Sequence, residues 1–114
     1  MNPMLIYKIF RADEWHHLQA NGKTLGAPID LSDGYVHFST AAQAAETAAK
    51  YFAGIEGLML LAVEADGCEA IKWEPSRGGA LFPHLYRALT LADVVWAKPL
   101  PCRTAGHIFP PEMV

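Results

Sequence analysis

The sequence predicts an α+β domain, and three observations carry that prediction. Strand-like segments recur along the chain without alternating strictly with helices, which argues against a doubly wound parallel sheet. Only two segments have helical character. The 114 residues, 52% hydrophobic and 18% charged, suffice for one hydrophobic core and are too few for two, so residues 1–114 read as a single domain.

The elements follow in order. Leu5 to Phe10 is a strand rich in Ile, Tyr and Phe, with Leu5, Tyr7 and Ile9 on one face. Asp13 is placed to cap a helix running to about Ala20 and stopped by Gly22. Trp15 and Leu18 turn its inner side to the core, which leaves His16 and His17 in solvent. Lys23 to Gly34, with Gly26, Pro28, Asp30, Ser32 and Asp33, reads as a loop. Tyr35 to Ser39 is a short strand whose alternation puts Tyr35, His37 and Ser39 on one face. Thr40 and Gln43 form a capping box that opens the clearest helix. Its stripe is Ala44, Ala45, Ala48, Tyr51 and Phe52, and Gly54 ends it. Leu58 to Glu64 is a buried strand, Asp66–Gly67 a turn, and Ala70 to Glu74 a further strand that carries Trp73 as a core residue. After the loop from Pro75 to Gly79, the segment Leu81 to Leu89 is extended, because Pro83 discourages helix before it. Asp93 to Lys98 closes the sheet. The proline-rich tail from Pro99 is irregular but packed.

Composition removes several function classes. A net charge of −3, from nine basic and twelve acidic residues, does not supply the cationic stripe that general nucleic-acid or anionic-membrane affinity requires. The longest apolar run, Leu58 to Val63, is too short to span a bilayer, and Lys8 interrupts any signal-peptide pattern at the start. A cytoplasmic location is therefore expected. Cys68 and Cys102 are read as ordinary thiols of a reducing compartment. No His-x-His or Cys-x-x-Cys spacing is present, and no metal is expected.

Several motifs carry a resemblance. Ile6–Tyr7–Lys8–Ile9, Trp15 and Gly22 come first. Asp33–Gly34–Tyr35–Val36–His37–Phe38–Ser39–Thr40 follows, with Gln43 and Tyr51–Phe52. Trp73–Glu74, Phe82–Pro83–His84–Leu85–Tyr86, Gly106 and Phe109 complete the set. Together they resemble the bacterial domain of unknown function 952 family nearly end to end. That family is similar in fold to ADP-ribosyltransferases, so the resemblance implies two small, mainly antiparallel sheets with flanking helices, and NAD as a possible substrate held between them. In that relation Lys8 stands at a first-strand position where several transferase groups have a ribose-orienting histidine or arginine. Arg87 replaces the family's usual glycine, beside any pocket near His84.

The candidate site is built from these residues. His37 and Ser39 share a strand face just before a capped helix start, which suits them to hydroxyls or a phosphate, with His37 also able to act as a base. The other reading makes His37 a half-buried histidine satisfied by a backbone carbonyl and Ser39 part of the helix start. Phe82, His84 and Tyr86 share a face and suit stacking on a flat ring, or else form a core aromatic cluster. Glu74 is suited to stabilising positive charge developing on a ribose, or is a strand-end charge paired with Arg77 or Arg87. Catalytic roles thus fall to His37, Glu74 and His84, and ligand contacts to Lys8, Ser39, Tyr86 and Arg87. Two functions fit a small-molecule pocket of this make-up: an NAD-using transferase-like enzyme, or a non-catalytic module for a nucleotide-like or anionic ligand. A partner-docking surface is the third.

Overall fold

In the computed structural model, which describes residues 4–113, the chain places strand β1 (Leu5–Phe10), helix α1 (Ala12–Asn21), β2 (Lys23–Thr24), α2 (Pro28–Asp33), β3 (Val36–His37) and α3 (Ala41–Tyr51) before β4 (Leu58–Glu64). Strands β5 (Ile71–Pro75), β6 (Leu81–Leu85), β7 (Leu89–Thr90), β8 (Val94–Leu100), β9 (Cys102–Arg103) and β10 (Gly106–His107) follow. The α+β class stands. Where two sheets were expected, the strands form two three-stranded sheets, β1-β4-β8 and β3-β6-β5, and two ribbons, β2-β7 and β10-β9, with antiparallel pairing throughout.

The β1-β4-β8 sheet is covered on both faces, which explains why β4 reads as a continuous apolar run rather than an alternating one. Ile6 and Phe10 of β1 join Leu61 and Val63 of β4 in one cluster with Leu18, Val36, Phe38, Leu85 and Leu89. Tyr7 and Ile9 join Leu58, Leu60 and Ala62 in a second, with Ala48 of α3, and Phe109 and Met113 of the tail close over it. Lys8 lies in β1 among these residues and is buried.

Segment 36–39 joins the sheets. Val36 and His37 pair with Leu85 and His84 of β6, and the chain then crosses to β1, where Ser39 and Tyr7 exchange backbone hydrogen bonds of 2.9 and 2.8 Å. A strand that changes partner after two residues leaves a gap between the sheets, and α2 and α3 flank it.

Several local expectations are corrected. The region 23–34 is not a loop: it holds β2 and the six-residue helix α2. Pro28 opens α2 with φ already helical, the Asp30 carboxylate accepts the Ala27 N–H at 2.7 Å, and Gly34 ends it in the left-handed region at φ +87°. Two turns are too few for hydrophobic periodicity to register. Helix α1 begins one residue before Asp13, with Arg11 as its N-cap, and Glu14 rather than Asp13 accepts the Arg11 N–H, at 2.8 Å. On α3, Ala44 and Ala48 are buried while Ala45 and Tyr51 are exposed, so the inner stripe is narrower than the alanine content suggests. Trp73 is not core. It lies on edge strand β5 and is exposed, because the pleat turns it away from Glu74. The tail contains the β9-β10 ribbon, and His107 fixes it to the turn after α3 through a 2.8 Å contact between Nε2 and the Ile55 carbonyl. No helix among the described residues is long and apolar enough to cross a membrane.

Candidate functional site

A cleft of about 710 Å³ opens where the two larger sheets part, within the size range of small-molecule sites. Its walls are largely apolar, including Ala27, Ile29, Phe38, Phe52 and Phe82. Lys8, Asp33, His37, Ser39, Thr47 and His84 supply polar groups, and Arg11, Asp13 and Glu14 also line it.

The two histidines meet here. His37 and His84 are register partners across β3 and β6, and their rings lie edge to face with centroids 5.2 Å apart. Tyr35 stacks on His84 at 4.2 Å and tilts against His37 at 4.7 Å. Burial of its phenol pushes the Tyr35 pKa up, and the Asp33 and Glu74 carboxylates push it further.

Each histidine has a carboxylate on Nδ1. His37 Nδ1 lies 2.6 Å from Asp30 Oδ1, which also accepts the His37 backbone N–H at 3.0 Å. The same carboxylate takes the Lys8 ammonium at 3.0 and 2.7 Å and the Ala27 N–H at 2.7 Å. Asp30 therefore satisfies one buried cation, one imidazole and two backbone donors, from β1, β3 and the start of α2. Burial by itself raises the Asp30 pKa, but the hydrogen bonds from His37 and the Lys8 charge outweigh it and hold the carboxyl below the usual range. Burial pushes the Lys8 ammonium down against the opposing pull of Asp30. Gly26 makes room for this arrangement: a Cβ there would lie 2.2 Å from Asp30 Oδ2, and its φ is +103°.

On the other side, His84 Nδ1 lies 2.8 Å from Glu74 Oε1, and the Tyr86 hydroxyl donates to the same oxygen at 2.6 Å. The Tyr86 hydrogen bond first, and the His84 one second, hold Glu74 below the usual carboxylate range, while the Tyr86 phenol is pushed up to about 12. The His84 side chain is only 3% exposed, and its Nε2 has no hydrogen-bond partner among the described residues. With the Nδ1 proton given to Glu74, Nε2 keeps its lone pair and is an acceptor. A buried polar atom without a partner costs on the order of 1–3 kcal/mol, and at the wall of a cleft it marks a place for a ligand atom or water.

The other candidates are placed as follows. Ser39 lines the cleft, and its hydroxyl lies 3.0 Å from that of Thr47. Lys8 lines it too, with its charge committed to Asp30. Glu74 and Tyr86 do not line it and reach it through His84. Glu74 pairs with His84 and Tyr86 rather than with Arg87, and the Arg77 side chain lies outside the described residues. Arg87 is placed elsewhere: its guanidinium holds Asp93 at 2.7 and 3.0 Å in a separate depression of about 600 Å³ that shares no lining residue with the cleft. Among the described residues no three His, Cys, Asp or Glu side chains converge as a metal's ligands would.

Sequence reasoning missed Asp30, Asp33 and Tyr35 as site residues. The available signal for Asp30 was the Pro28-x-Asp30 helix start closed by Gly34, which marks its carboxylate as facing inward to a backbone N–H.

A family model described as Protein of unknown function (DUF952) matches residues 9–97. The chain belongs to this family. Among solved structures it is similar to the crystal structure of protein CC0527 from Caulobacter crescentus, at 49% identity and a TM-score of 0.86, covering 90% of this chain and 91% of that one. The solution NMR structure of the same protein matches at 49% identity with a TM-score of 0.82, covering 90% of each chain. No curated protein matches the chain. In DUF952 terms, the match spans both histidines and both of their carboxylates.

Proposed function

We propose that the cleft takes a nucleotide-like small molecule, with NAD the first candidate, and that the chain is an ADP-ribosyltransferase-like enzyme. One observation carries this reading: the buried His84 imidazole has one nitrogen fixed by Glu74 and the other unpartnered at the wall of a largely apolar cleft. A carboxylate on one ring nitrogen selects the tautomer and aims the other nitrogen, the arrangement by which an imidazole becomes a general base. The apolar walls suit a flat ring. In the proposed transfer an acceptor hydroxyl oxygen bonds to the ribose carbon, and the nicotinamide leaves with the electron pair of the broken carbon–nitrogen bond. The hydroxyl proton passes to His84 Nε2. Glu74 is the positioning residue for His84, a different role from direct contact with the ribose, and His37 orients the ribose or a phosphate.

A non-catalytic binding module is the second reading. It is favoured by the commitment of Lys8 to Asp30 and of Glu74 to His84 and Tyr86, which leaves neither charge free to face a reacting ribose.

The test is thermal stability in the presence of NAD, ADP-ribose and inorganic phosphate for the wild type and for His84→Phe, which retains a ring against Tyr35. Binding raises the melting temperature of the wild type with ligand concentration and leaves the variant where it was. Nicotinamide release, reduced about 100-fold in the variant, separates the enzyme from the binder. A wild type that neither shifts with any nucleotide nor releases nicotinamide sinks both readings.

A further inference from the structure

We infer that the ligand meets His37 with a phosphate oxygen, and that the Asp33 carboxylate occupies that oxygen's place on His37 until the ligand displaces it. The inference rests on the reading above that the cleft is a ligand site.

The two carboxylates on His37 are not equivalent. Asp30, on Nδ1, is fully buried and cannot leave without stranding the Lys8 ammonium and the Ala27 N–H. Asp33 Oδ2 lies 2.9 Å from the other nitrogen, Nε2, and its side chain is 39% exposed. Both His37 and Asp33 line the cleft. Both ring nitrogens thus face carboxylate oxygens, and the outer one faces Asp33 at the cleft.

Asp33 has no local reason to be acidic. It is the last residue of α2, where a negative charge gains nothing from the helix, and the helix is stopped by Gly34, whose N–H goes to the Asp30 carbonyl at 2.8 Å. What holds Asp33 is a side-chain contact to the His37 ring at a partly exposed position, which is weak and readily exchanged. A ligand phosphate offers the same kind of oxygen and more charge. The His84 ring is 5.2 Å away, so a group bonded to that phosphate lies beside the second histidine. An anionic side chain of the protein thus marks where an anionic ligand group fits.

The test follows the imidazole ¹H–¹⁵N signals of the whole chain during titration with inorganic phosphate, and separately with acetate, in the wild type, Asp33→Ala and Asp13→Ala. Asp13 is a second carboxylate lining the cleft and controls for loss of charge alone. Expected is a His37 Nε2 response in Asp33→Ala at about tenfold lower phosphate than in the wild type, with Asp13→Ala close to the wild type. Phosphate acting at lower concentration than acetate supports the phosphate assignment, and the reverse order overturns it. Equal phosphate sensitivity in Asp33→Ala and the wild type, or a His37 signal indifferent to phosphate in both, also overturns the inference. If phosphate behaves as expected while NAD neither binds nor reacts, the transferase-like reading falls and the anion site stands. If NAD binds with no effect of Asp33, the anion site falls and the reading stands.

Discussion

Asp30 and Glu74 each hold the Nδ1 of a cleft histidine, yet one carboxylate is fully buried and the other is 36% exposed. The histidines are reversed: the side chain of His37 is 27% exposed and that of His84 is 3% exposed. Burial on the carboxylate side turns the first pair into a structural joint, because Asp30 must then satisfy every donor that reaches it, and those donors come from three elements. Burial on the histidine side leaves Glu74 free to orient a ring without holding the fold together. Two motifs with the same local chemistry therefore divide the work, one anchoring the cleft and the other fixing the ring of a buried histidine that lines it.

The largest expected effect breaks the joint. Asp30→Ala strands the buried Lys8 ammonium and is expected to cost about 3–5 kcal/mol in urea denaturation. Gly26→Ala acts on the same joint through steric conflict with Asp30 and a positive φ, and is expected to cost about 2 kcal/mol. Stability unchanged in both variants would remove the structural role of Asp30.

Glu74→Gln is expected to sharpen the contrast. An exposed carboxylate contributes little to folding, so the urea midpoint stays near that of the wild type. If the proposed transferase-like reading holds, nicotinamide release falls about tenfold as His84 loses its tautomer control. A large loss of stability in this variant would make the two pairs equivalent and undo the comparison.

The smallest effect is the acid limb of stability. Asp30 and Glu74 both have lowered folded-state pKa values, so each contributes stability that is fully present above the unfolded carboxyl value and is lost as pH falls through the folded one. Urea stability is expected to decline from about pH 5 downward. Asp30→Asn should flatten this decline more than Glu74→Gln, because solvent screens the exposed carboxylate.

Where periodicity or capping acts locally, the chain determined its own elements. The strand at Leu5–Phe10, the Thr40–Gln43 cap of α3, the buried strand at Leu58–Glu64 and the α+β class all follow from side-chain alternation, side chain-to-backbone hydrogen bonds and apolar runs. That His37 and His84 line one cleft was also legible, from their place as polar residues within apolar strand segments. Tertiary structure alone decided their carboxylates. Asp30 lies in a stretch whose glycines, proline and acids read as loop, and its partner Lys8 is 22 residues away across a strand and a helix. Glu74 reaches His84 only through the pairing of β5 with β6. A charge is read from sequence as solvent-facing by default, because burying it is costly. Which charges instead go inward depends on partners brought together by strand register, and register is a property of the assembled sheets.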